Sequence, residues 1–212
     1  MRIDHVCYAA GPEGMRETAL RLADQLNVTA FDGGVHPRFG TRNMVLPLAD
    51  GRYLEVVEVL DHPASDKAPF GQAVRARSEQ GGGWMAWVVA VDDLADIEER
   101  LGRQAVPGNR HTPEGVELTW HQIGIKSLIA DPQLPFFVRW DSLDHHPSRL
   151  GGDEAKLVGL HIAGDPGKIR EWLGMTDSGC SWEKDIDVEF DDSHTPALES
   201  VVFATSGGTV TI

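Results

Sequence analysis

One short plan of elements occurs three times along this 212-residue chain, and that repetition limits its folds more than any single motif does. Each copy opens with an apolar strand, turns through Gly, Asp or Pro, and enters an amphipathic helix. The first copy is "RIDHVCYAAGPEGMRETALRLADQLN", whose helix puts Met15, Ala19, Leu22, Ala23 and Leu26 on one stripe. The second is "GWMAWVVAVDDLADIEERLG", with Leu94, Ile97 and Leu101 on the stripe and Asp92 or Asp93 as N-cap. The third is "AKLVGLHIAGDPGKIREWLGM", with Ile169, Trp172 and Leu173 on the stripe, Asp165 as cap and Pro166 in the first helical position. Strands follow each helix. They are expected near 29–36, at 42–49 and 52–60, near 104–107, at 116–124 and 134–142, and at 185–190, 197–205 and 208–212. The unit is therefore βαβββ, twice in full and a third time in variant form. The expected organisation is a first module at 1–65, a linking helix at 66–82, a second module at 83–143, a linker at 144–154 and a third partial module at 155–212. Such a unit covers one sheet face with its helix and leaves the other to curve against a neighbour. The predicted fold is α+β: paired βαβββ modules forming a curved mixed sheet, a cup, with a third partial module beside it.

The strand "YLEVVEVL" in the first module carries two glutamates among apolar residues. Side chains alternate along a strand, so Glu55 shares a face with Tyr53, Val57 and Val59, and Glu58 shares the other with Leu54, Val56 and Leu60. A buried carboxylate is costly unless it is paired or binds a metal. On the first strand, His5 shares a face with Ile3 and Cys7.

The strand "IDHV", then "GTRN", then "YLE", in this order and spacing, resembles the vicinal oxygen chelate superfamily. That group includes glyoxalase I, bleomycin-resistance proteins, epimerases and extradiol dioxygenases. The run "GGVHPRFGTRNMVLPLADGRYLEVVEV" is most similar to glyoxalase-like domain proteins, and the resemblance covers about residues 1–142. In the family, metal ligands come from the first and fourth strands of each module. His5 and Glu55 stand at the matching positions, and Glu58 would then point outward as a structural residue. The resemblance implies a metal-dependent lyase, isomerase or dioxygenase, in which a divalent Zn, Fe, Mn or Ni ion chelates neighbouring substrate oxygens. The chain departs from the pattern in its second module, where Met85, Ala86 or Trp87 and Phe136 or Phe137 fall at the ligand places.

His5 and Glu55 are thus candidate metal ligands or catalytic acid–base groups, with the third ligand open among His121, His36, Glu117 and His161. The metal-free alternative pairs His5 with Glu55 across neighbouring strands. That would suit a general base, or a sequestration protein of the bleomycin-resistance type. The loop "VHPRFGTRN" holds His36, Arg38 and Arg42 and no acid, which suits a small anion. His36, Arg38, Arg42, Asn43 and His121 are the candidate substrate contacts. Trp84, Trp87, Trp120 and Trp140 are expected in the core, and "GNRHTPEG" as a turn, with Arg110 and His111 at the surface. The formal net charge of −14 argues against nucleic acid and anionic membranes as partners. A small, anionic ligand and a homodimer are the partners expected. Cys7 and Cys180, far apart and without a CxxC, predict reduced thiols, and no signal-peptide pattern follows Met1. The expected location is cytoplasmic.

Overall fold

The computed structural model describes residues 1–152, 154–175, 185–191 and 195–212. Cys180 lies outside the described residues. The first repeat folds as β1 (Arg2–Ala9), α1 (Met15–Leu26), β2 (Phe31–His36), β3 (Thr41–Leu48) and β4 (Arg52–Val59). Met15, Ala19, Leu22, Ala23 and Leu26 are the buried stripe of α1, joined by Thr18. A single 3-10 turn over Ala49–Gly51 links β3 to β4, with Asp50 in the left-handed region at φ 61°.

The linking segment is two helices, α2 (Pro63–Lys67) and α3 (Pro69–Glu79), where one was expected. Ala68 is extended (φ −81°, ψ 130°) because Pro69 follows it, and Pro69 then occupies the first turn of the new helix. The second repeat supplies β5 (Gly83–Ala90), α4 (Ala95–Leu101), β6 (Val106–His111), β7 (Glu117–Ile123), the short α5 (Ser127–Ala130) and β8 (Phe136–Trp140). Asp93 Oδ1 accepts from Ala95 N at 3.1 Å near the start of α4. The third repeat supplies β9 (Ala155–Ala163), α6 (Pro166–Leu173), β10 (Asp187–Asp191), β11 (Ala197–Thr205) and β12 (Gly208–Thr211). Asp165 caps α6 by accepting from Gly167 N at 2.7 Å, with Pro166 at its first position.

The mixed sheet curves until it closes. The first eight strands form a barrel in the order β1-β4-β3-β2-β6-β7-β8-β5, and the last four form a separate sheet, β10-β9-β11-β12. Within the barrel, β1 runs parallel to β4 and antiparallel to β5. The barrel is stitched unevenly. β2 meets β6 through one residue pair, Val35 with His111, whereas β5 and β8 have three paired positions and β3 and β4 have eight. At the β2–β6 seam, Gly34 sits at φ 100°, and a Cβ there would fall 1.8 Å from the His111 carbonyl oxygen. Only glycine allows that approach.

The strand alternation divides the apolar residues into two clusters. One lies outside the barrel wall, where Val6, Leu54, Val56, Trp87 and Phe137 pack against α1, α4 and the third repeat's Leu157, Leu160, Val201 and Phe203. The other fills the barrel interior, where Cys7, Val57, Ala86, Val88, Phe136 and Val138 meet Phe39 and the α3 residues Phe70 and Val74. No helix among the described residues is long and apolar enough to cross a membrane.

Candidate functional site in the barrel

The polar residues of the interior come from β1, β2, β3, β4, β6 and β7. Parallel pairing of β1 with β4 sets His5 opposite Tyr53 and Cys7 opposite Glu55. The His5 ring stacks on Tyr53, with centroids 4.3 Å apart and planes 16° apart. Its Nδ1–H donates to Asp4 Oδ2 at 3.0 Å, which leaves Nε2 as the nitrogen available to the interior. Glu55 does not pair directly with His5, contrary to the metal-free expectation. Its Oε1 accepts from Asn43 Nδ2 at 2.7 Å and its Oε2 accepts from the Cys7 thiol at 3.2 Å. His36 Nε2 lies 3.8 Å from Glu55 Oε1, while its Nδ1 bonds Thr41 Oγ1 at 2.9 Å.

These groups surround a cavity of about 30 Å³, room for an ion or a few water-sized atoms. His5, His36, Asn43, Tyr53 and Glu55 line it together with Arg110 of β6 and Gln122 of β7. Aromatic rings close the rest. Phe39, Phe70 and Trp120 meet at centroid distances of 5.8 to 6.3 Å, and Phe70 meets Phe136 at 6.2 Å.

The electrostatics separate the charged from the neutral groups. Burial drives the His36 imidazole towards its neutral form, with a pKa pushed down to about 4. Burial opposes ionisation of Glu55, yet the nearby His36 and His5 and the hydrogen bonds from Cys7 and Asn43 outweigh it, so its carboxyl lies below the ordinary value. A neutral His36 gives Glu55 little positive charge, so we ascribe the ionised Glu55 mainly to the two hydrogen bonds it accepts. Burial and the Glu55 carboxylate push the Cys7 thiol well up, keeping it protonated as the donor to Glu55. Burial lowers the Arg110 pKa from its ordinary value, and its Nε is buried without a hydrogen-bond partner.

A second layer fixes His5. Asp4 is fully buried and receives Trp140 Nε1–H at 3.1 Å and His146 Nε2–H at 3.4 Å besides His5, with Arg2 at 2.8 Å from its other oxygen. Burial alone would raise its pKa, but the bonds from His146 and His5 hold the carboxyl well below the usual carboxylate range. His146 belongs to the segment between the second and third repeats. Its Nδ1 accepts from Ser148 N at 3.4 Å, which assigns the proton to Nε2.

Of the residues singled out from sequence, His5, Glu55, His36 and Asn43 meet at the cavity. Arg38 is exposed in the β2–β3 turn. Arg42 points outward to Glu58, with Nη2 at 2.6 Å and Nε at 2.9 Å. Glu58 also accepts from Met15 N at 3.3 Å, which ties it to the start of α1. His121 stands on the outer side with Asp141 at 3.3 Å and Arg139 at 2.9 Å. Glu117 is exposed beside Asn109, and His161 lies in the third repeat beside Glu189 and Ser200. Arg110, placed at the surface by reading "GNRHTPEG" as a turn, is 3% exposed on a strand paired along its length with β7. Gly108 permits this, because a Cβ there would strike the Trp120 indole at 2.3 Å. Asp4, Tyr53, Gln122 and His146 were also not singled out. The carboxylate adjacent in sequence to a candidate histidine was the signal for Asp4.

The residues present fit a divalent transition ion. Ligand atoms of His5, Cys7 and Glu55 all lie within 4.8 Å of one another, and an N, S, O donor set suits such a metal once Cys7 gives up the proton it donates to Glu55. The Asp4 bond to His5 Nδ1 is the outer support that metal-bound histidines have. Cys7 is the third donor within reach of both; of the candidates named from sequence, His36 approaches Glu55 alone, at 3.8 Å, and His121, His161 and Glu117 lie elsewhere. In the second repeat the interior positions Ala86, Val88, Phe136 and Val138 offer no ligand.

Fold and site together describe a barrel of paired βαβββ modules with a polar centre contributed chiefly by the first. The glyoxalase-like domain profile matches residues 3–175, and the chain belongs to that family. A hypothetical protein from Staphylococcus aureus has a similar structure, with a TM-score of 0.71 at 14% identity, over 97% of this chain and 91% of that one. Methylmalonyl-CoA epimerase from Streptomyces coelicolor, in complex with 2-nitronate-propionyl-CoA, gives 0.46 at 18% identity, over 67% of this chain and 99% of that one. The epimerase from Mycobacterium tuberculosis gives 0.44 at 14% identity, over 66% and 86%. Comparison with curated proteins gives no match.

Proposed function

We propose that the barrel cavity is an acid–base site for a small anionic carbonyl compound, with Glu55 as the base. The observation that carries this is a carboxylate, 5% exposed, that faces the cavity beside a buried arginine with no ion-pair partner among the described residues. A carboxylate of this kind is poised to take a proton from carbon next to a carbonyl. The C–H bond breaks, an O–H bond forms on Glu55, and the electron pair moves to the carbonyl oxygen as an enolate. Arg110 would hold the substrate's anionic group beside the reacting carbon. Glu55 then returns the proton to the same carbon or to its neighbour, giving exchange, epimerisation or isomerisation. His5, oriented by Asp4, presents Nε2 to the same space. A Zn, Fe, Mn or Ni ion held by His5, Cys7 and Glu55 would polarise the carbonyl as a Lewis acid.

The test is deuterium exchange. Tag-free protein, its metal content measured by elemental analysis, is incubated in D₂O with pyruvate, 4-oxopentanoate or phenylpyruvate, and exchange next to the carbonyl is followed by NMR. Exchange above the uncatalysed rate is expected, falling by about 10²–10⁴-fold in Glu55→Gln. Equal exchange in both proteins would exclude Glu55 as the base. Binding without exchange would make the site a sequestration cavity.

A further inference from the structure

The inner cavity, at about 30 Å³, is too small for a metabolite. A groove of about 550 Å³ lies against it, within the size range of small-molecule sites. The groove runs between the poorly stitched β2–β6 seam and the segment that carries His146. Phe31, Val116 and Leu150 give it apolar walls, and its charged residues include Arg149 and the acids Asp32, Glu114 and Asp144. Two side chains join groove to site. Arg110 lines both spaces. His146 lines the groove and bonds Asp4, the residue that orients His5.

Arg110 is the chemical pointer. It is 97% buried by its 3% exposure, its Nε has no partner, and no ion pair engages it among the described residues. Glu55 and Asp32 act on it only through space; a buried guanidinium with no direct ion pair is costly, and a carboxylate-bearing ligand would match its fork. Asn43 Oδ1 is a second buried atom without a partner, and it lies beside Arg110 over Gly33. A Cβ on Gly33 would stand 2.1 Å from Asn43 Oδ1 and 2.9 Å from Arg110 Nη1, so this glycine leaves room for both.

We infer that the groove holds the body of the substrate: an elongated carboxylate with an apolar side group against Phe31, Val116 and Leu150, its charged group on Arg110, and a short carbonyl end reaching past the seam to Glu55. The inference rests on the acid–base assignment of the cavity. A second approach to the cavity, about 260 Å³, passes Phe39, Phe70 and Val106 on the α3 side. It carries no buried unpaired charge, which is why the groove is favoured.

The probes are 4-oxopentanoate, 2-benzyl-4-oxopentanoate and the methyl ester of the latter, titrated calorimetrically into the full chain. The benzyl acid is expected to bind at least about tenfold more tightly than 4-oxopentanoate, and the ester at least about tenfold more weakly than the acid. Val116→Trp or Leu150→Trp should remove the benzyl gain while 4-oxopentanoate still binds, and Val106→Trp on the other approach should change neither. Arg110→Met should erase the preference for acid over ester. The groove assignment is overturned if neither acid binds, if the benzyl group gives no gain, or if Val106→Trp alone removes that gain. Binding that follows this pattern without deuterium exchange would retain the groove and reject Glu55 as base. Exchange unaffected by Val116→Trp and Leu150→Trp, with no benzyl gain, would do the reverse.

Discussion

Asp4→Asn isolates the layer behind the site. In the native protein Asp4 Oδ2 receives His5, Trp140 and His146 at 3.0, 3.1 and 3.4 Å, and Arg2 faces Oδ1 at 2.8 Å. Asparagine keeps the shape and loses the charge. Its least costly orientation keeps oxygen on the three donors and turns the amide nitrogen towards Arg2, whose partly exposed side chain can move to water. Three charge-assisted bonds, each contributing about 1.5–3 kcal/mol, then become neutral bonds of about 1 kcal/mol. The summed loss, less the relief of carboxylate desolvation, comes to about 3 kcal/mol, or about 6–12 °C in melting temperature for a chain this long. The dependence on pH has a definite sign. The folded-state pKa of Asp4 is depressed, so its stabilisation is full above the unfolded value of about 3.9 and is lost as pH falls below it. Calorimetric melting of wild type and variant should therefore show a constant gap above about pH 4 that narrows, without closing, by pH 3. A gap within roughly 2 °C at pH 7, or one equally wide at pH 3, would refute the assignment of Asp4 as an ionised acceptor at the hub of this network.

Two further outcomes are expected. His36, with its pKa pushed down to about 4, should show no NMR titration near pH 6.5. The unfolded chain takes up that proton first, so stability on the order of 3 kcal/mol should be lost between about pH 6.5 and 4; a midpoint near 6.5 would contradict the buried, neutral ring. Phe203 is fully buried on β11 and stacks near Trp84 at 6.3 Å, so Phe203→Ala should cost about 3–5 kcal/mol. The barrel and the third repeat share one apolar cluster, so this variant should lower a single melting transition. Two transitions, of which one moves, would show that the two parts unfold separately.

The sequence by itself determined the repeated strand–helix plan, the stripe of α1, the cap of α6 and the common face of Tyr53 and Glu55. These follow from local periodicity, which depends on neighbours within a few residues. It also brought forward His5, Glu55, His36 and Asn43, which the tertiary structure gathers at the cavity. Tertiary structure alone decided which basic residue reaches that cavity. Arg42 and Arg110 both lie on strands bearing polar residues, and shifting a strand by one residue exchanges its inner and outer faces. Register placed Arg42 against Glu58 on the outside. The pairing of β6 with β7, permitted by Gly108 beneath Trp120, buried Arg110 within a segment that local composition marked as a turn. Barrel closure was likewise invisible along the chain, because the contacts of β1 with β5 and of β2 with β6 join residues about eighty positions apart.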